Sequence, residues 1–137
     1  MNLVELYQDV ILFSYIYNDL GETNARLSVN EISYTLNSSN VDSIGMYTRY
    51  RIGNICIVSF DAQLKSAPAV WTDTPIITLN NITAKNTVYS VGRTNSGGVF
   101  IMQIAVNSNI VVIRTLNNTP FSANEKTIRG TIIFVAN

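Results

Sequence analysis

The chain has 137 residues, with nine basic side chains balanced by nine acidic ones, no histidine and a single cysteine. That length suits one domain with a core of its own. The composition excludes an internal disulfide framework, imidazole metal sites and histidine-based triads. With no block of either charge, a basic face for nucleic acid or an anionic membrane surface is not expected.

Charged residues make up only 13% of the chain, and apolar ones 47%. A soluble domain commonly carries about 25% charged residues. Recurrent Asn, Ser and Thr are expected to cover part of the surface, and contact with another subunit the rest.

In chain order, Leu3, Leu6, Val10, Phe13, Tyr17 and Leu20 recur at spacings of three and four and stop at Gly21. This a/d seam predicts a helical segment over residues 1–21, either an oligomerisation neck or a helix packed on its own domain. A strand is the alternative, because Val10 to Tyr17 is rich in β-branched and aromatic residues. The apolar run Val10–Phe13 is too short to span a bilayer, and the first residues lack the basic region of a secretory leader. Synthesis in a cytoplasm and no membrane insertion are therefore expected.

Residues 22–137 change to short β runs divided by turn clusters. Strands are expected over Ser28–Leu36, Met46–Ile52, Ile55–Leu64, Ile76–Leu79, Thr87–Gly92, Val99–Val106, Ile110–Leu116 and Thr127–Ala136. Asn107-Ser108-Asn109 between two apolar runs predicts a β-hairpin. Many short strands with no helix among them predict an antiparallel β-sandwich or jelly-roll-like head. Cys56, Val58, Phe60 and Ala62 share one face of their strand, and Cys56 is expected to be a buried small hydrophobe.

Some strands are apolar on both faces. Ile55 and Ile57 oppose Cys56 and Val58; Val99 and Ile101 oppose Phe100 and Met102; Ile133 and Val135 oppose Ile132 and Phe134. An antiparallel strand with one wet face should alternate instead. Either a subunit interface or a covering layer such as the N-terminal segment would hide the second face.

No phosphate loop, nucleophile elbow or Cys/His metal set is present. Asp42, Asp61, Asp73 and Glu125 lie in different segments, so an acid/base pair of the glycosidase kind would have to come from the fold. The sequons at Asn37, Asn81 and Asn117 follow from the Asn-rich composition and carry no expectation.

From about Tyr47 onward the chain resembles the receptor-binding heads of phage tail proteins. The likeness rests on Tyr50-Arg51-Ile52-Gly53-Asn54-Ile55-Cys56-Ile57-Val58, and on Trp71 followed by Thr74-Pro75-Ile76-Ile77-Thr78-Leu79. It continues in the hairpin Phe100–Val106 to Ile110–Ile113 and the last run Arg129–Val135. Asn80 stands where the family often has proline, and the short segment 1–21 departs from the extended shaft of long tail fibres. The resemblance covers about two-thirds of the chain and implies a small β-sandwich head, a homotrimer at a tail tip or baseplate of a virion. Such a head contacts other tail or baseplate proteins, binds bacterial cell-surface saccharide, needs no cofactor and performs no chemistry.

Sugars are held by aromatic faces and planar polar groups. Trp71 and Asp73 from one loop, and Arg93 and Asn95 from another, are the candidate ligand-binding residues. Trp71 as a core or interface residue, and Arg93 as a solvated turn residue, are the competing expectations. Tyr47 and Tyr50 are expected to pack. A ligand-free structural module of a virion is the second functional expectation and a glycan hydrolase the third. A TNF-like or C1q-like adhesin is a relative of the first, since one jelly roll hosts many functions.

Overall fold

The computed structural model describes residue 2, residues 29–122 and residues 124–137. The expected helical segment over 1–21, residue 2 apart, lies outside the described residues. Among the described residues there are nine strands: β1 (Val29–Glu31), β2 (Tyr34–Leu36), β3 (Val41–Ile52), β4 (Ile55–Leu64), β5 (Thr74–Leu79), β6 (Val88–Thr94), β7 (Val99–Ile104), β8 (Ile110–Thr115) and β9 (Thr127–Val135). One short 3-10 turn, Leu116–Asn118, follows β8.

The fold is all-β, and every strand pairing is antiparallel. The strands form one strongly curled sheet, a half-barrel, in the order β1-β3-β4-β9-β6-β7-β8-β5-β2. A sandwich of two separate sheets is not what the hydrogen bonding builds. The reason lies in the first run expected as one strand. Ile32 and Ser33 split it into β1 and β2, which occupy opposite edges of the sheet. The three steps from Glu31 to Tyr34 span at most about 11 Å, so the edges must curl toward each other. Hydrogen bonds seal the link: the Ile32 amide donates to the Arg49 carbonyl at 2.7 Å, and the Asn80 amide to the Ser33 carbonyl at 2.9 Å.

The concave side of the curl is the core. The period of two puts Cys56, Val58, Phe60, Ala62 and Leu64 of β4 inside, facing Ile128, Ile132 and Phe134 of β9 and Phe100, Met102 and Ile104 of β7. Each large aliphatic or aromatic side chain so buried stabilises the fold by about 1.5–3 kcal/mol. Phe121 closes one end against Phe100, with ring centroids 6.0 Å apart and planes tilted by 55°. The β7–β8 hairpin expected from Asn107-Ser108-Asn109 is present, with Ile104 opposite Val111.

Turn chemistry holds the register. Gly53, at φ 60°, takes the first central position of the two-residue β3–β4 turn, where Ile52 faces Ile55. A positive φ at that position is the type II′ requirement, which glycine meets without steric cost. β3 begins at Val41, five residues before the expected start, because the Asn37–Asn40 turn launches it: the Val41 amide donates to the Asn37 carbonyl at 3.0 Å.

The convex side carries the second apolar face. Its residues line up across four strands. Val29 faces Ile52, Ile52 faces Ile55, and Ile55 faces Val135. In the next row Glu31 faces Tyr50, Tyr50 faces Ile57, and Ile57 faces Ile133. Val29, Tyr50, Ile55, Ile133 and Val135 are all exposed among the described residues. The expectation that Tyr50 packs is not met there.

Candidate functional site

Further along the same convex face the apolar rows give way to polar ones. Ser59 faces Thr131 across β4 and β9, and Asp61 faces Arg129. These residues, with Tyr47 of β3 and Arg93 of β6, line an open basin of about 580 Å³.

Local geometry creates the basin. The β3–β4 register slips between Met46 and Thr48, leaving Tyr47 as the extra residue of a β-bulge. Gly45 faces Asp61, so Tyr47, two residues on, stands on the convex side, and the bulge places Thr48 beside it, facing Ser59. Tyr47 is 69% exposed, and its phenol donates to Asp61 Oδ2 at 2.7 Å. The expectation that Tyr47 packs fails for this reason.

On the other side, the β6–β9 ladder has only the pairs Arg93–Arg129 and Thr94–Ile128. Beyond them the Ser90 hydroxyl donates to the Thr131 carbonyl. Glycines form the floor. A Cβ on Gly92 would stand 2.2 Å from the Phe100 ring, and one on Gly130 2.7 Å from Met102 Sδ. The missing side chains let core and basin share a single thickness of backbone.

Asp61 is the one carboxylate among the lining residues. Its Oδ1 lies 3.2 Å from Arg129 Nε, close enough for an ion pair but not aligned as a hydrogen bond. Both groups are partly solvated, so the pair contributes little stability, about 0–1 kcal/mol. The Tyr47 phenol is pushed above its ordinary pKa, first by its hydrogen bond to Asp61 and then by the charge of that carboxylate. Tyr47 therefore remains a neutral donor through the physiological range. Thr131 Oγ1 donates to Ser59 Oγ at 2.9 Å, completing a polar wall.

Of the four residues expected from sequence, Arg93 lines this basin. It stands on β6 rather than in a turn, because β6 runs to Thr94. Asn95 begins the exposed β6–β7 turn, where its amide donates to the Thr127 carbonyl at 3.0 Å. Trp71 and Asp73 lie elsewhere, on the loop before β5, and β7 and β8 stand between β5 and β6. Trp71 is 74% exposed, at φ 59°, and is neither core nor packed against the described residues. Asp73 Oδ1 is held by Arg114 through Nη2 at 2.6 Å and Nε at 2.8 Å, beside a smaller recess of about 300 Å³. The structure thus separates the Trp71–Asp73 pair from Arg93.

Sequence reasoning missed Tyr47, Asp61 and Arg129 as basin residues. A partial signal was present: Ser59, Asp61 and Gln63 alternate with the buried face of β4, and Arg129 and Thr131 with that of β9. Which alternating polar residues meet depends on strand order, which alternation does not reveal.

The arrangement offers a phenol, hydroxyls and guanidinium groups from four adjacent strands. Such groups bind and orient a polar ligand. Among the described residues no cluster of three or more Cys, Asp or Glu side chains could hold a metal ion. Cys56 is buried at the core, and burial raises its thiol pKa, the opposite of what a nucleophile needs. No protein-family model, curated protein or solved structure matches the chain.

Proposed function

We propose that this chain is a non-catalytic receptor-binding head that recognises host-cell-surface saccharide through the convex basin and works as a homo-oligomer. The resemblance of residues from about Tyr47 onward to phage tail receptor-binding heads points the same way. In that reading the domain is a homotrimeric, jelly-roll-like head at a virion tail tip or baseplate, and the two arms of the curled sheet take the place of two sandwich layers. The observation that carries the reading is the basin: an exposed tyrosine ring beside hydroxyls and guanidinium groups, on strands rather than mobile loops. Sugars are recognised by that combination of an aromatic face and convergent polar groups.

A glycan array probed with the full chain tests it. Binding that is lost on Tyr47→Ala, with an unchanged far-ultraviolet spectrum, is the expected result. Silence across the array overturns it.

A second reading, a structural virion module with no ligand of its own, is favoured by the apolar rows Val29–Ile52–Ile55–Val135 and Tyr50–Ile57–Ile133. Both readings use those rows as a contact between copies. Light scattering gives the mass in solution, for the full chain and for one beginning at residue 22. A trimer in both places the contact on the sheet; a trimer lost on truncation places it in the N-terminal segment. A monomeric full chain removes the assembly part of both readings.

A further inference from the structure

We infer that the ligand of the basin is an acidic saccharide, its charge carried as carboxylate or phosphate; this rests on the saccharide-binding reading above. The observation is a like-charge pair. Arg93 of β6 and Arg129 of β9 stand directly opposite each other on the convex face. Side chains so placed have Cβ atoms roughly 4.5–5.5 Å apart, and like charges there destabilise a sheet.

The protein neutralises only one of the two. Asp61 faces Arg129 and pairs with it, and its other oxygen accepts from Tyr47. Among the described residues Arg93 has no ion pair and Asp61 is the one carboxylate lining the basin. These residues therefore set two guanidinium groups against one carboxylate.

An anionic group between the two arginines would relieve the repulsion and accept from both planar forks, geometry suited to carboxylate or phosphate oxygens. The sugar ring then falls within reach of the Tyr47 face and of the Ser59 and Thr131 hydroxyls that share the basin. A neutral sugar would leave the Arg93 charge uncompensated.

The test uses the full chain on an array carrying uronic-acid, phosphate-bearing and neutral glycans. The expected hits fall among the acidic glycans, and whichever acidic class responds identifies the anion. For the best acidic hit, Arg93→Gln weakens binding about tenfold or more, as loss of a charge-assisted contact does. Added salt weakens wild-type binding in parallel. Lys85→Gln, at an exposed position outside the basin, leaves it unchanged. Equal binding of neutral glycans, or indifference to Arg93→Gln, overturns the inference while the saccharide reading stands. Silence across all three classes overturns both.

Discussion

A Cβ placed on Gly130 of β9 would lie 3.4 Å from the Cα of Gly92 on β6, so the two glycines sit back to back at the seam where the sheet turns. Phe100 and Met102 fill the inner side of that seam, and the basin opens on its outer side. Gly92→Ala drives a methyl into the Phe100 ring and is expected to destabilise by about 1–3 kcal/mol or more. Phe100→Ala alone is expected to cost about 3–5 kcal/mol. In the double variant the clash with the ring is gone while the 2.8 Å approach of the methyl to the Arg129 carbonyl remains, so the combined loss in urea unfolding is smaller than the sum but exceeds that of Phe100→Ala alone. Additive losses would mean that the two residues do not compete for one volume.

Tyr47 reports the basin's electrostatics. Asp61 raises its phenol pKa by hydrogen bond and by charge. In Asp61→Asn both causes weaken, and the phenol returns toward the ordinary tyrosine value. The measurement is an ultraviolet titration of each protein minus its Tyr47→Phe counterpart, which isolates one phenol among seven. A midpoint that stays put in Asp61→Asn contradicts the contact.

Glu125 clamps the β6–β7 turn. Its Oε1 accepts from Thr94 Oγ1 at 2.8 Å, its Oε2 from the Ser122 amide at 2.9 Å, and Thr94 Oγ1 in turn accepts from the Gly98 amide. These bonds, that to the Ser122 amide first, lower the Glu125 pKa. A carboxyl whose pKa is lower folded than unfolded stabilises above the unfolded value and loses that contribution as pH falls through the folded one. Glu125→Gln is therefore expected to unfold at lower temperature than wild type at pH 7. The gap between the two should close as the solution is acidified below the ordinary glutamate range. A gap independent of pH would count against the clamp.

Trp71 is the single tryptophan, exposed on the loop before β5 and away from the basin. Its fluorescence in the folded protein is expected near the solvent-exposed limit, with little further red shift on unfolding. Ligand bound in the basin leaves it unquenched, and Trp71→Phe changes stability by no more than about 0.5 kcal/mol, as surface substitutions do. A blue-shifted native emission would show that Trp71 is covered in solution.

The sequence by itself determined where most of the strands run and which residues share a face. In Ile55–Leu64 the period of two is a local property, so Cys56 could be read as buried, with Val58, Phe60 and Ala62 on its face, before any strand was paired. In Val99–Ile104 and Thr127–Val135 apolar residues stand on both faces, and only the curl of the sheet made Phe100 and Phe134 inner. The turns at Gly53-Asn54 and Asn107–Asn109 were equally legible, since positive φ is written in residue type. The doubly apolar strands were visible too, though not what covers their outer face. Tertiary structure alone decided that Ile32-Ser33 joins opposite edges and curls nine strands into one sheet, that Tyr47 meets Asp61, and that Arg93 meets Arg129. Each depends on which strand lies beside which and in what register. Those choices are made by packing across long stretches of chain, where the period of two is the same for every strand and names no partner.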